Sequence, residues 1–162
     1  MSIESRTDVK SNLKKNGHVQ LLTFKLDEQE YALDIGNVVQ VVRMVAVTRA
    51  PKASKAVAGM INLRGKVIPV VDMRQRCGLP AKPYDLNTQL LIAQSDGHMV
   101  ALTVDVVSEV LTMPTTNIES VQAVGAAMEF LSAVGKLGDR LILILDPAQV
   151  LATSEADDAG TH

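Results

Sequence analysis

Tryptophan is missing from this chain, and aromatic residues make up only 2% of its 162 positions. An aromatic stacking platform for single-stranded nucleic acid is therefore excluded as the main surface. An excess of either charge is also missing. The formal net charge is −2 and the pI is about 5.9, so no broad basic field exists to gather phosphate. Cysteine occurs once, at Cys77, which rules out a disulfide within the chain. Long hydrophobic runs are missing too. The first apolar stretch, Val19 to Phe24, is too short to span a bilayer and soon meets charge. Nothing reads as an export signal, so the expected location is the cytoplasm, without direct membrane insertion.

What is present is aliphatic. Apolar residues reach 47%, enough for a core built mainly from Val, Leu, Ile, Ala and Met. The length suits one domain, or two small ones sharing a core. Residues 1–17 and 153–162 are polar and aperiodic, and read as mobile tails around an ordered domain at 18–152. Between them lie short Val/Ile/Leu-rich runs separated by turn signals, the pattern of an all-β fold. "VQLLTFKL" and "EYALDI" form one hairpin pair through "DEQE", and "TQLLIAQ" and "MVALTV" a second through Asp96-Gly97. Asp-Gly between alternating runs is a strong hairpin signal, because glycine accepts positive φ without steric cost. Three short helical pieces are expected. Ser54 is placed to cap one opening "SKAVAGMINL". "DMRQRCG" reads as a helical turn closed by Gly78. "DPAQVLA" reads as a helix capped by Asp146, with Pro147 first.

The chain repeats itself. "ALDIGNVVQVVRM" (Ala32–Met44) aligns with "ALTVDVVSEVLTM" (Ala101–Met113), including Val38 with Val107 and Val41 with Val110. "LRGKVIPVVD" (Leu63–Asp72) aligns with "LGDRLILILD" (Leu137–Asp146). The approximate pseudo-repeats are 19–86 and 87–150. Each holds about five strands, enough to curl into a small closed barrel. Neither barrel would have much core alone, so the two are expected to pack on a shared apolar seam.

Catalytic signals are sparse. His18, His98 and His162 have no partner at ligand or triad spacing, and no glycine-rich phosphate loop occurs. No cofactor is expected. Asp72 and Asp146 hold equivalent places at the ends of apolar strands; they read as caps, with a paired-carboxylate active site as the competing enzyme reading. Cys77, beside polar residues in "RQRCG", is a minor candidate for a reactive thiol. A small β-barrel nucleic-acid binder is another competing class, disfavoured by the acidic pI. What remains is a binding or scaffolding module.

"YALDIGNVVQVVRM", "VAGMINLRGKVIPVVDMR", "VALTVDVVSEVLTM" and "GKLGDRLILILD" follow one another in the order and spacing of the CheW family, the bacterial chemotaxis coupling proteins. The sequence resembles that family from about Val19 to Leu151. The resemblance implies two pseudo-repeated five-stranded barrels of the Src-homology kind, packed around a common core, with no enzymatic activity. It implies an adaptor that joins the cytoplasmic tips of methyl-accepting chemoreceptors to the regulatory domain of the histidine kinase CheA, recruited to membrane-associated receptor arrays. No nucleic acid takes part. Related coupling proteins serve pilus-based motility, a second pathway the resemblance allows.

Residue by residue, Arg64 and Gly65 stand where the family has its arginine and glycine, and Gly59 matches the glycine before Asn-Leu-Arg. Val38 and Gln40 fall on a stretch used near partner surfaces; many members carry Glu in place of Gln40. The receptor-binding candidates are thus Val38, Gln40, Arg64 and Val107. The kinase-binding candidates are Gly59, Met60, Ile61 and Gly65. Five of them have a competing structural reading: Arg64 as a tether of its own turn or a partner of Asp72, Gly59 and Gly65 as backbone geometry, and Val38 and Val107 as core. In the repeat, Gly138 replaces Arg64, so the turn itself does not demand an arginine.

Overall fold

The computed structural model describes residues 17–43, 47–48, 57–85, 87–121 and 129–150. The described residues are mostly strand, with four hairpins. β1 (His18–Leu26) and β2 (Gln29–Asp34) turn at Asp27-Glu28, a tighter connection than "DEQE" implies. β6 (Gln89–Ser95) and β7 (His98–Val104) turn at Asp96-Gly97, with φ of +55° and +78°. Positive φ at both turn positions matches the strand twist, as expected of Asp-Gly. β4 (Val57–Leu63) pairs with β5 (Lys66–Asp72), and β10 (Leu131–Leu137) with β11 (Arg140–Leu145). The segment from Val57 is therefore strand; Ser54 lies outside the described residues. β3 (Val38–Arg43), β8 (Val106–Pro114) and the short β9 (Ile118–Ser120) complete the set.

Two sheets result. The first runs β8-β1-β2-β11-β10-β9 and the second β3-β6-β7-β5-β4. The repeats and the sheets do not coincide. Each sheet takes its opening hairpin from the other repeat: β1–β2 sit beside β8–β11, and β6–β7 beside β3–β5. The reason lies in the parallel pairs, β2 with β11 and β5 with β7. Parallel neighbours cannot be joined by a tight turn, and the exchanged hairpin supplies the long connection.

Each sheet curls until its edges meet. Past β3 the chain reaches Thr48, whose N–H donates to the Met60 carbonyl (2.9 Å) while Met60 N–H donates back (2.8 Å). The equivalent bend in the first sheet is the 3-10 turn Thr115–Asn117, which carries β8 on one edge to β9 on the other. With each bent strand counted once, both barrels have five strands.

The core has three parts. Val19, Leu21, Ala32, Ile142 and their neighbours fill the first barrel, and Ile61, Ile68, Val70, Leu90, Ile92 and Ala101 the second. A larger cluster between the barrels joins Leu22, Phe24 and Leu33 to Leu91, Val100 and Leu102. The exchanged hairpins are buried on both faces. On β6, Leu90 and Ile92 face the barrel interior while Leu91 and Ala93 face the shared core. That double burial explains why their sequences are nearly continuous apolar runs.

Asp72 and Asp146 are caps. Asp72 Oδ1 accepts from Arg74 N (3.0 Å) and Gln75 N (3.2 Å) of the helical turn Met73–Arg76, which ends before Gly78 at φ +75°. Asp146 Oδ1 accepts from Ala148 N (3.0 Å) at the start of the helical turn 147–150. The two carboxylates close strands of different barrels, which removes the paired-carboxylate reading. Among the described residues no helix is long and apolar enough to cross a membrane.

Candidate partner-binding site

Two surfaces qualify. The first is the outer side of the β4–β5 hairpin. Its turn is Arg64-Gly65, with φ of +54° and +85°, and Gly65 N–H donates to Asn62 Oδ1 (3.0 Å). The first turn positions of the other hairpins, Asp27, Asp96 and Gly138, have φ between +54° and +61°. Asp and Gly tolerate this left-handed region, whereas a long side chain there costs roughly 1–2 kcal/mol. Arg64 bears that cost without an internal return. Its side chain is exposed and makes no hydrogen bond or ion pair with any described residue. Asp72 is no partner for it. That carboxylate lies at the far end of β5 and accepts from Tyr84 Oη (2.8 Å) as well as from the helical turn.

Strand alternation decides which neighbours join Arg64. Met60 is opposite Pro69, and Asn62 opposite Val67, on the outer face; Met60 is 42% and Val67 65% exposed. Ile61 points the other way and is 2% exposed, inside the second barrel. As a side-chain contact for a kinase, Ile61 is therefore corrected: consecutive strand residues face opposite sides. Gly59 is buried. A Cβ there would lie 2.4 Å from the Thr48 carbonyl oxygen, so glycine is required where the barrel closes. Gly65 serves the turn. Val67 was not among the sequence candidates, although its alternation with buried Ile68 marks it as outward.

The second surface is the groove between the barrels. Val38 and Val107 both pack, half-buried, against the shared core. Val41 lies opposite Leu91, and Val110 opposite Leu22, two residues of that core. Both nevertheless remain open to solvent, Val41 at 36% and Val110 at 51%. Val107 N–H donates to Gln89 Oε1 (2.8 Å), which pins β8 beside the second sheet. The shared core thus emerges at the surface between a Val38–Val41 wall and a Val107–Val110 wall. These four valines are two matched pairs of the repeat. The Val41/Val110 identity is visible in the sequence, but the surface the pair shares is not. Gln40 falls elsewhere: a register shift between Val38 and Gln40 sets it opposite Ile92, on the barrel side of β3. Arg64 also stands apart from the groove, in the hairpin patch with Met60.

Among the described residues, neither surface brings together a catalytic set. Burial pushes the Cys77 thiol up, which counts against its minor reading as a reactive thiol. No group of His, Cys, Asp or Glu among the described residues could hold a metal ion.

The family model described as the CheW-like domain matches residues 20–155. The chain belongs to the CheW family. The chemotaxis protein CheW of Klebsiella aerogenes is 31% identical over 138 residues, covering 84% of this chain and 83% of that protein. That of Rhizobium meliloti is 30% identical, covering 89% and 94%. Among solved structures, the scaffolding protein TtCheW of Thermoanaerobacter tengcongensis is 33% identical. It superposes with a TM-score of 0.72 over 78% of this chain and 88% of its own. CheW proteins are chemotaxis scaffolds and adaptors, not enzymes.

Proposed function

We propose that this CheW protein joins a chemoreceptor cytoplasmic tip to the regulatory domain of a CheA-type histidine kinase, one partner on each surface. Two exposed apolar patches lie apart on one double barrel. A receptor tip is a helical hairpin, and an apolar helix face suits the groove walled by Val38, Val41, Val107 and Val110. The kinase domain, itself a double barrel, suits the flatter hairpin patch of Met60, Val67 and Gly65. Arg64 at its tip can fork onto a carboxylate or onto helix-end carbonyls, and its charge does not titrate away. This moves Arg64 from the receptor group to the kinase group. The two contacts together recruit the protein to membrane-associated arrays. A pilus-motility pathway would use the same two contacts.

The test is a split of function. Arg64→Ala is expected to weaken kinase capture by about tenfold or more and to spare receptor capture, while Val110→Glu does the reverse, since removal of a central interface group commonly costs over 1.4 kcal/mol. Pull-downs with a receptor-tip fragment and with the kinase regulatory domain read both. Loss of both partners in either variant, with an unchanged thermal melt, would contradict the assignment.

A further inference from the structure

Arg74 is a buried arginine that binds across the boundary between the barrels. It follows β5 of the second sheet. Its Nη1 donates to Asp27 Oδ1 (2.8 Å) in the β1–β2 turn of the first sheet. The same nitrogen donates to Asp105 Oδ2 (2.9 Å), and Nε donates to the Pro80 carbonyl (2.8 Å). Asp105 is the single residue between β7 and β8, where the chain crosses from the second sheet to the first. Its Oδ2 also accepts from Asp27 N (2.7 Å), and its own N–H donates to the Lys25 carbonyl (3.1 Å). Three pieces of chain, drawn from both barrels, converge on one guanidinium.

The repeat provides an internal comparison. The residues matching Asp27, Arg74 and Asp105 are Asp96, Ala148 and Gly36. The second crossing, Ile35–Asn37, therefore cannot form an arginine clasp. It is held by neutral donors instead: Asp34 Oδ1 accepts from Gly36 N (2.8 Å), and Asn37 Nδ2 donates to the Gln94 carbonyl (3.1 Å). A buried ion pair seldom stabilises more than well-packed apolar residues would, and its distinctive contribution is geometry. A planar guanidinium bonded on several sides fixes directions that a lysine cannot.

We propose that Arg74 is a positioning residue for the groove. By fixing Asp105 it fixes where β8 starts, and so sets Val107 and Val110 at their distance from the Val38–Val41 wall. This rests on the reading of the groove as the receptor surface. The partner's helix is held by a gap of set width, and the clasp determines the width.

Distance and affinity test it separately. Nitroxide labels at Arg43→Cys on β3 and Ser108→Cys on β8, in a Cys77→Ala background, read the gap by pulsed electron resonance. The full chain is expected to give one narrow distance. Arg74→Lys should broaden or shift it, and so should the milder Asp27→Asn, whose new side chain accepts positive φ. Receptor-tip affinity should fall about tenfold in both while kinase-domain affinity holds. Unchanged distances would overturn the inference. Changed distances with normal receptor affinity would also overturn it if Val110→Glu abolishes receptor binding. If Val110→Glu binds normally too, the groove reading has failed, and the changed distances still support the clasp as the element that sets the gap.

Discussion

Arg64 is the residue whose backbone and side chain argue in opposite directions. Its φ of +54° suits Asn, Asp or Gly, and its side chain finds no partner within the described fold. Such a residue is best explained by an external contact. Arg64→Asn separates the two effects. Asn-Gly is a favoured pair for a two-residue hairpin turn, so stability should stay level or rise by up to about 1 kcal/mol. Kinase binding should fall nonetheless. Denaturant unfolding beside a binding titration checks this; a clear drop in stability would mean that the arginine holds its own turn after all. Residue-scale alternation also shows what the sequence already contained. Met60 and Ile61 are neighbours on a strand, so they could never share a face. The turn arginine was legible because Gly138 replaces it in the repeat. The burial of Gly59 under Thr48 was not, because it depends on where a distant strand closes the barrel.

At the scale of elements, the hairpins were the legible part. Asp96-Gly97 announces its turn through local backbone preference alone. The exchange of hairpins between repeats was hidden for a physical reason. Both copies carry the same alternation, and either partner sheet would bury the same faces. Only the crossings at Ile35–Asn37 and Asp105 decide, and they are too short for the hairpin to fold back. The clasp at the Asp105 crossing has a consequence for pH. The Arg74 hydrogen bond holds the Asp27 carboxyl below its ordinary value of 3.8. A carboxylate depressed on folding contributes stability that is present above its unfolded pKa and lost as pH falls through the folded one. The parent protein should therefore lose stability more steeply below about pH 4 than Asp27→Asn, because that variant lacks the titrating group. Thermal melts across pH 2.5–6 (about the span of ordinary carboxylates) measure it. Parallel curves for the two proteins would show that the bond does not couple to folding.

At the scale of the whole molecule, two thin barrels become one body because the largest core lies between them. That arrangement suits an adaptor. It holds a groove and a hairpin patch in fixed relation, so one surface can be filled without rebuilding the other. Composition and repeat were enough to foresee paired barrels on a shared seam. They could not separate the two surfaces, since Val38, Met60 and Arg64 all belong to the first repeat, yet Val38 lies on a different face from the other two once the second barrel closes. Both surfaces should be occupied at the same time. The most direct measurement is the affinity of the kinase regulatory domain for this protein alone and for the protein saturated with a receptor tip. Separate surfaces predict a stable ternary complex with affinities equal within about twofold, a coupling energy near zero. Competition, with the receptor tip displacing the kinase domain, would contradict the account.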